Sequence, residues 1–157
     1  MEGKKSVLFV CLGNICRSPM AEAILANMIA EKGVEDKWHL DSAAIGSWHV
    51  GNKPDKRCIN KLKENNISTE HRARTVELDD FTKFDWIFGF DHDNISELTK
   101  KQKKVKKETK AKIALFGEYD PQKELIIEDP YYGELAGFDK CFEQCMRCCK
   151  AFLDANT

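Results

Sequence analysis

The stretch VLFVCLGNICRSPMAEAIL, residues 7–25, sets the thiol of Cys11 six positions before the guanidinium of Arg17. The apolar run breaks at Cys11 and resumes as a helix-like pattern, so the two groups flank a strand-to-helix turn. A phosphate group bound at such a turn needs converging backbone N–H groups, and a helix N-terminus supplies them with a positive partial charge. Leu12, Gly13, Asn14, Ile15 and Cys16 occupy the place where that cradle would form. Gly13 and Asn14 tolerate unusual backbone angles. Arg17 adds a planar fork able to grip two anionic oxygens. The same field favours Cys11 as thiolate, the nucleophilic form, and Ser18 is placed to donate a hydrogen bond to it.

A thiolate attacking phosphorus needs an acid for the leaving oxygen and a base for the water that follows. Asp129 in IEDPYYG is the carboxylate best suited to reach the cradle. Alone, Asp-Pro followed closely by Gly reads as a turn. Beside a Cys-x5-Arg loop, an acid followed by Tyr131 and Tyr132 reads as one wall of an aromatic pocket. Other phosphate motifs are missing, neither G-x-x-x-x-G-K-[ST] nor G-x-G-x-x-G being present. Cys11 and Cys16 lack a second Cys/His pair at zinc spacing. Cys141, Cys145, Cys148 and Cys149 recur at helical offsets among Phe138, Phe142 and Phe152, which reads as a core-facing stripe, and Cys58 as a small apolar filler.

The elements that must position these groups alternate between short apolar runs and helical patterns, as in βα units on a largely parallel sheet. The pattern predicts strands at 7–10, 38–41, 86–90 and 112–115. Helices are expected at 19–32, after Pro54 to 64, near 95–99 and at 137–154. Ser18 suits the cap of the first helix, Pro19 its first turn and Gly33 its end. Ala21, Ile24, Leu25 and Met28 share its inner face; Ile59 and Leu62 should face inward on the second. The loops at 43–53, 71–80 and 117–133 carry the remaining candidate positions.

At 157 residues, 42% apolar and 32% charged, the chain reads as one globular domain, residues 1–157, with a real core. A net charge of −1 argues against general nucleic-acid binding. Basic character is local: KKQKKVKKETKAK, residues 100–112, holds eight lysines and one glutamate. It reads either as a solvated face or as a patch for acidic partners, a membrane surface or nuclear import, without the interleaved aromatics of a nucleic-acid site. Seven cysteines without disulfide spacing, no signal-peptide pattern and no apolar run near the ~20 residues of a span predict a reducing, cytoplasmic setting without membrane insertion.

CLGNICRSP and EDPYYG together resemble the low-molecular-weight protein tyrosine phosphatases, and DSAAIGSWHVG, EHRART, YDPQKELIIEDPYYG and FEQCMRCCKAFL extend the similarity over nearly the whole chain. The resemblance implies a three-layer α/β sandwich, with a four-stranded parallel sheet between helices. It implies that Cys11 forms a phosphocysteine intermediate, that Arg17 binds the phosphoryl group, and that Asp129 is acid and then base. Asn14, Ser18, Ser42 and His71 match a supporting network. Leu12, Ile15, Trp48, Tyr131 and Tyr132 match walls around a phenyl ring. Expected partners are tyrosine-phosphorylated proteins and small aryl phosphates, with phosphate, vanadate or sulfate in the loop. No metal or organic cofactor is expected, and a monomer is favoured. Cys16 beside an activated thiol could trap oxidation as a reversible disulfide.

Departures from the family pattern include Gly89-Phe90 before Asp91, Trp86, and the segment from Ala44 to His49, so selectivity does not carry over. A thiol-dependent arsenate reductase of this fold would need relay cysteines, and residues 69–100 contain none. A protein-arginine phosphatase would favour a small polar residue at Ile15. A decayed binding module would lack Cys11, Arg17 or Asp129.

Overall fold

In β1 (Lys5–Cys11), every residue after Lys5 is buried, because the strand lies inside a sheet covered on both faces. The computed structural model describes residues 3–157. Its elements follow in the order β1, α1 (Arg17–Glu31), β2 (Trp38–Ala44), α2 (Lys56–Glu64), α3 (Asp80–Lys83), β3 (Trp86–Gly89), α4 (His92–Gln102), β4 (Lys112–Leu115) and α5 (Leu135–Ala155). The four strands pair in parallel in the order β2-β1-β3-β4. This is the expected α/β sandwich. The strand order reverses between β1 and β3, and the carboxyl end of that junction is where open parallel sheets bind ligands.

Side-chain alternation along β1 builds two cores. Val7, Phe9 and Cys11 belong to the larger one, with residues of α1, α2 and α5. Leu8 and Val10 pack on the other face with Phe81, Phe84 and Leu98. Aromatic rings fill the larger core: Phe9 meets Phe116 edge-on at 5.0 Å, and Phe152 meets Trp86 and Tyr119 at 5.0 and 5.1 Å. The four cysteines of α5 are all buried in this core. Burial pushes the Cys148 thiol up to about 12, so these sulfurs behave as small apolar groups.

Differences from the sequence reading have local causes. β2 runs on to Ala44, whose backbone bridges to Thr75 and the segment beyond His71. α4 and α5 are longer than their apolar faces, and α3 is a single turn that periodicity does not register. Ser18 does not cap α1. The helix starts at Arg17 with no side-chain cap, because the Ser18 hydroxyl is engaged by Asn14 and Cys11. On α2 the buried pair is Cys58 and Leu62, one helical turn apart, and Ile59 is only half-buried.

After β4 a short 3₁₀ turn (Phe116–Tyr119) starts the long loop that carries Asp129 back toward the sheet. A Cβ on Gly117 would lie 2.1 Å from the Leu125 carbonyl oxygen, so only glycine lets the two backbones approach this closely. Gly117→Ala should therefore cost about 1–3 kcal/mol and lower the melting temperature by roughly 2–10 °C, measured by circular dichroism. An unchanged melting curve would mean that the loop relaxes freely around the extra methyl.

Candidate active site

Cys11 ends β1, and the chain turns through residues 12–16 into α1, as the Cys-x5-Arg spacing predicts. Asn14 sits at the tightest point with φ +59°, a left-handed conformation that asparagine adopts more readily than most residues. It is fully buried and makes hydrogen bonds on both faces of its amide. Its Nδ2 donates to the Ser18 Oγ at 2.7 Å and the Ser42 Oγ at 3.0 Å. Its Oδ1 accepts from the Arg74 backbone N–H at 3.2 Å and lies 2.7 Å from His71 Nε2.

Donor chemistry gives this chain a direction. An amide Nδ2 only donates, so Ser18 accepts from Asn14 and its own O–H is left for Cys11 Sγ, 3.0 Å away. The Ser18 backbone N–H also points to that sulfur, at 3.4 Å. His71 must donate from Nε2 to reach Asn14 Oδ1. Burial pushes the His71 imidazole down against the pull of Asp41, favouring a neutral ring with its proton on Nε2. Burial likewise pushes Glu22 up to about 7, opposed by the bond it accepts from Ser42 at 2.6 Å. Sequence reading identified Asn14, Ser18, Ser42 and His71 but not Glu22, which enters only through folding. The Glu22, Asp41 and His71 ligand atoms lie within 4.8 Å of one another, a spacing that suits a metal ion. All three groups already hold protein partners, Glu22 with Ser42, Asp41 with Arg74 and His71 with Asn14.

Arg17 is 2% exposed, an unusual position for a permanent cation. Its Nη1 donates to Asp91 Oδ2 at 2.6 Å and the Ile127 carbonyl at 2.9 Å. Nη2 stands 3.8 Å from Asp129 Oδ2, beyond a hydrogen bond. Nε is buried without a hydrogen-bond partner among the described residues. The protein thus fixes one nitrogen and leaves the Nε and Nη2 pair, the two parallel donors of a bidentate grip, without a hydrogen-bond acceptor among the described residues. Asp91, which follows β3, also caps α4 through its Oδ1 and the Asn94 N–H. The sequence reading missed it as an Arg17 partner, since an aspartate before a helix already has an ordinary reading as a cap.

Asp129 Oδ1 accepts from the Tyr131 N–H at 3.1 Å, folding the acid into a turn beside its tyrosine. Arg57 holds that turn from outside, donating to the Tyr131 carbonyl at 2.9 Å and the Gly133 carbonyl at 3.3 Å. Its own partner is Asp55, whose carboxyl Arg57 holds below the ordinary range although burial opposes the shift. The Asp55 backbone N–H donates to the Ile15 carbonyl at 2.7 Å, so one short chain of contacts joins the phosphate-type loop to the acid-bearing loop. Neither Asp55 nor Arg57 is visible as functional in the sequence, because PDKR reads as an ordinary helix start.

Cys11, Leu12, Gly13, Ile15, Cys16, Trp48, Asp129, Tyr131 and Tyr132 line one cavity of about 350 Å³, which brings together the predicted walls, the acid and part of the loop, while Asn14, Arg17 and Ser18 are buried outside its lining. His49 lines it too, its ring 6.0 Å from Tyr131. The sequence carried no signal for His49 beyond composition. Trp48 is 70% exposed and its ring covers Gly46, where a Cβ would fall 1.8 Å from the indole.

The whole chain supports comparison. A family model described as low molecular weight phosphotyrosine protein phosphatase matches residues 6–156. A Gallus gallus relative, "Low molecular weight phosphotyrosine protein phosphatase", is 53% identical over 96% of this chain and 94% of its own. The solved structure of Primo-1 has a TM-score of 0.89 at 42% identity, covering 97% of this chain and 98% of that one. The structure titled DARP, drosophila arginine phosphatase, has a TM-score of 0.91 at 39% identity, covering 95% and 96%.

Two substitutions separate the parts of this site. Asn14→Ala should lose about 2–4 kcal/mol of stability and slow turnover of an aryl phosphate. Asn14→Gly should regain part of the stability and remain slow, and full recovery with glycine would reduce the role of Asn14 to its backbone angle. Gly46→Ala displaces the exposed Trp48 and should raise KM for an aryl phosphate with little change in melting temperature; an unaltered KM would remove Trp48 from the wall.

Proposed function

The chain belongs to the low molecular weight phosphotyrosine protein phosphatase family, and we propose that it hydrolyses phosphotyrosine and small aryl phosphates through a phosphocysteine on Cys11. The observation that carries this reading is the unpaired, buried Nε–H of Arg17 beside a Cys-terminated strand. An unmatched buried donor costs about 1–3 kcal/mol, which an incoming phosphoryl oxygen would offset. The thiolate attacks phosphorus as the P–O bond to the aryl group breaks. Asp129, on the far wall of the cavity, gives the leaving oxygen its proton. Asp129 then takes a proton from water, which attacks phosphorus, breaks the P–S bond and releases inorganic phosphate. Arg17, the loop N–H groups and the start of α1 stabilise the charge on the equatorial oxygens in both steps. Ser18 favours the sulfur as leaving group in the second step by donating a hydrogen bond to it.

Trp48, Tyr131 and Tyr132 suit a flat ring, and Ile15 provides apolar contact where a phosphoguanidinium would need polar partners. The DARP neighbour supplies the second reading, phosphoarginine as substrate. Cys16 opens on the same cavity, and its thiol is pushed up by burial, then by Asp55 and Cys11, so it rests protonated. Peroxide would oxidise Cys11 to a sulfenic acid, which loses water on condensing with the Cys16 thiol; dithiothreitol would restore both.

Burst-phase kinetics on p-nitrophenyl phosphate test the mechanism directly. The wild type should show a burst of p-nitrophenol, competitive inhibition by vanadate and slower turnover of phosphoarginine. Cys11→Ser should lose turnover and the burst while still binding phosphate. Asp129→Ala should slow esters with poor leaving groups by about 10²–10⁴-fold, and good leaving groups far less. Arg17→Lys should be damaging despite keeping its charge. Substantial turnover by Cys11→Ser would exclude the phosphocysteine, and faster turnover of phosphoarginine would favour the second reading.

A further inference from the structure

Parallel pairing places the start of every strand at one edge of the sheet, and in this chain a lysine lies at or within three residues of every start. Lys4 and Lys5 open β1, Lys37 directly precedes β2, Lys83 lies just before β3, and Lys112 begins β4. All five are exposed. Against this edge lies the segment 100–112, in which eight lysines less one glutamate give +7, so the other 144 residues of a chain at −1 carry −8. The charge is therefore separated in space and along the sequence.

This segment is folded onto the protein. Val105 and Ala111 pack against the smaller core, the Lys110 and Ala111 N–H groups donate to the Phe81 carbonyl, and Gln102 Nε2 donates to Thr109 Oγ1 at 3.1 Å. The lysines are consequently presented on a formed surface. Lys100 pairs with Glu97 at 3.4 Å and Lys110 with Asp85 at 3.3 Å. Among the described residues, Lys101, Lys103, Lys104, Lys106, Lys107 and Lys112 have no salt-bridge partner. Carboxylates near this edge include Glu35, Asp36 and Glu108, all exposed, and exposed Asp154, two residues before Asn156, whose carbonyl accepts from Lys5.

We propose that this lysine face is a docking surface for anionic lipid bilayers. The charge count fits: clusters of four to eight lysines give roughly fivefold in membrane partition for each lysine near an anionic leaflet. The residue type also fits. The run is all lysine with no arginine, so it offers mobile point charges in place of the planar forks that select one phosphate geometry. Such a surface matches a fluid array of headgroups better than a single phosphorylated peptide. No aromatic residue interrupts it to stack on a nucleic-acid base.

Geometry assigns a consequence. Lys112 is in register with Trp86, and Trp86 with Val7, so Cys11 lies four residues further along the strand direction, roughly 13 Å away. α4 starts at Asp91, in contact with Arg17, and runs back to the lysines, about 16 Å at helical rise. A molecule resting on its lysine face therefore holds the cavity on the side away from the bilayer. Docking leaves the cavity open to soluble substrates and out of reach of the headgroups that bind the lysines.

The test is sedimentation of the full chain with vesicles of phosphatidylcholine alone and with about one-third phosphatidylserine, at low and near-physiological salt. The protein should bind only the anionic vesicles, more weakly as salt rises, with turnover of p-nitrophenyl phosphate unchanged by binding. The variant Lys103→Gln/Lys104→Gln/Lys106→Gln/Lys107→Gln should keep that turnover and lose partition several-hundredfold. A control with four glutamines at the exposed Lys53, Lys63, Lys123 and Lys140 should bind like the wild type. Equal binding to both vesicle types, binding unaffected by the quadruple variant, or retention by polyglutamate or duplex DNA without retention by anionic vesicles would overturn the proposal. Cys11→Ser should bind as the wild type does, so failure of the catalytic reading and failure of this one are separately visible.

Discussion

A guanidinium buried to 2% exposure fixes everything around it. Burying such a charge is tolerable only where acceptors surround it. For Arg17 those acceptors come from separate parts of the chain: Asp91 after β3 and Ile127 in the long loop after β4, with Asp129 just beyond hydrogen-bond range. Because Arg17 is the first residue of α1, satisfying its side chain also sets where α1 stands relative to the ends of β1 and β3. The requirement is incomplete in one respect, the unpaired Nε, and the proposed grip on a phosphoryl group rests on that incompleteness. A fully satisfied arginine would stabilise the fold and bind phosphate poorly.

The second constraint is the left-handed turn at Asn14. A glycine there would permit the angle but supply no side chain, and most other side chains would resist the angle. Asparagine does both, and its amide sets the direction of the hydrogen bonds leading to the sulfur. Local backbone geometry and the hydrogen bonds around the Cys11 sulfur are thus set by one residue.

The strands and the Cys11–Arg17 loop were legible in the sequence because each rests on local information: apolar runs, a break at Gly13-Asn14, a helix start near Pro19. Asp129 became legible once a cradle was in view to receive it. The misreadings share a cause. Ser18 had every local feature of a helix cap, and the tertiary partners Asn14 and Cys11 took its hydroxyl instead. Asp91, Glu22 and Arg57 contact partners 74, 20 and 74 residues away, separations at which a single sequence carries no spacing signal. His49 resembles any loop histidine until Tyr131 is folded against it.

A parallel sheet has two chemically unlike ends, and this chain uses the difference. At the carboxyl ends of the strands, loops and helix N-termini converge and favour anion binding and catalysis. At the amino ends, strands begin and α4 finishes, and nothing there must close around a substrate. Those positions are free to vary in charge without disturbing Cys11, Arg17 or Asp129. Between the ends lies a close-packed aromatic core. Accumulating lysines at the amino edge therefore alters where the molecule rests while leaving what it does at the other edge intact. The separation follows from the topology, since parallel strands cannot mix the two kinds of end.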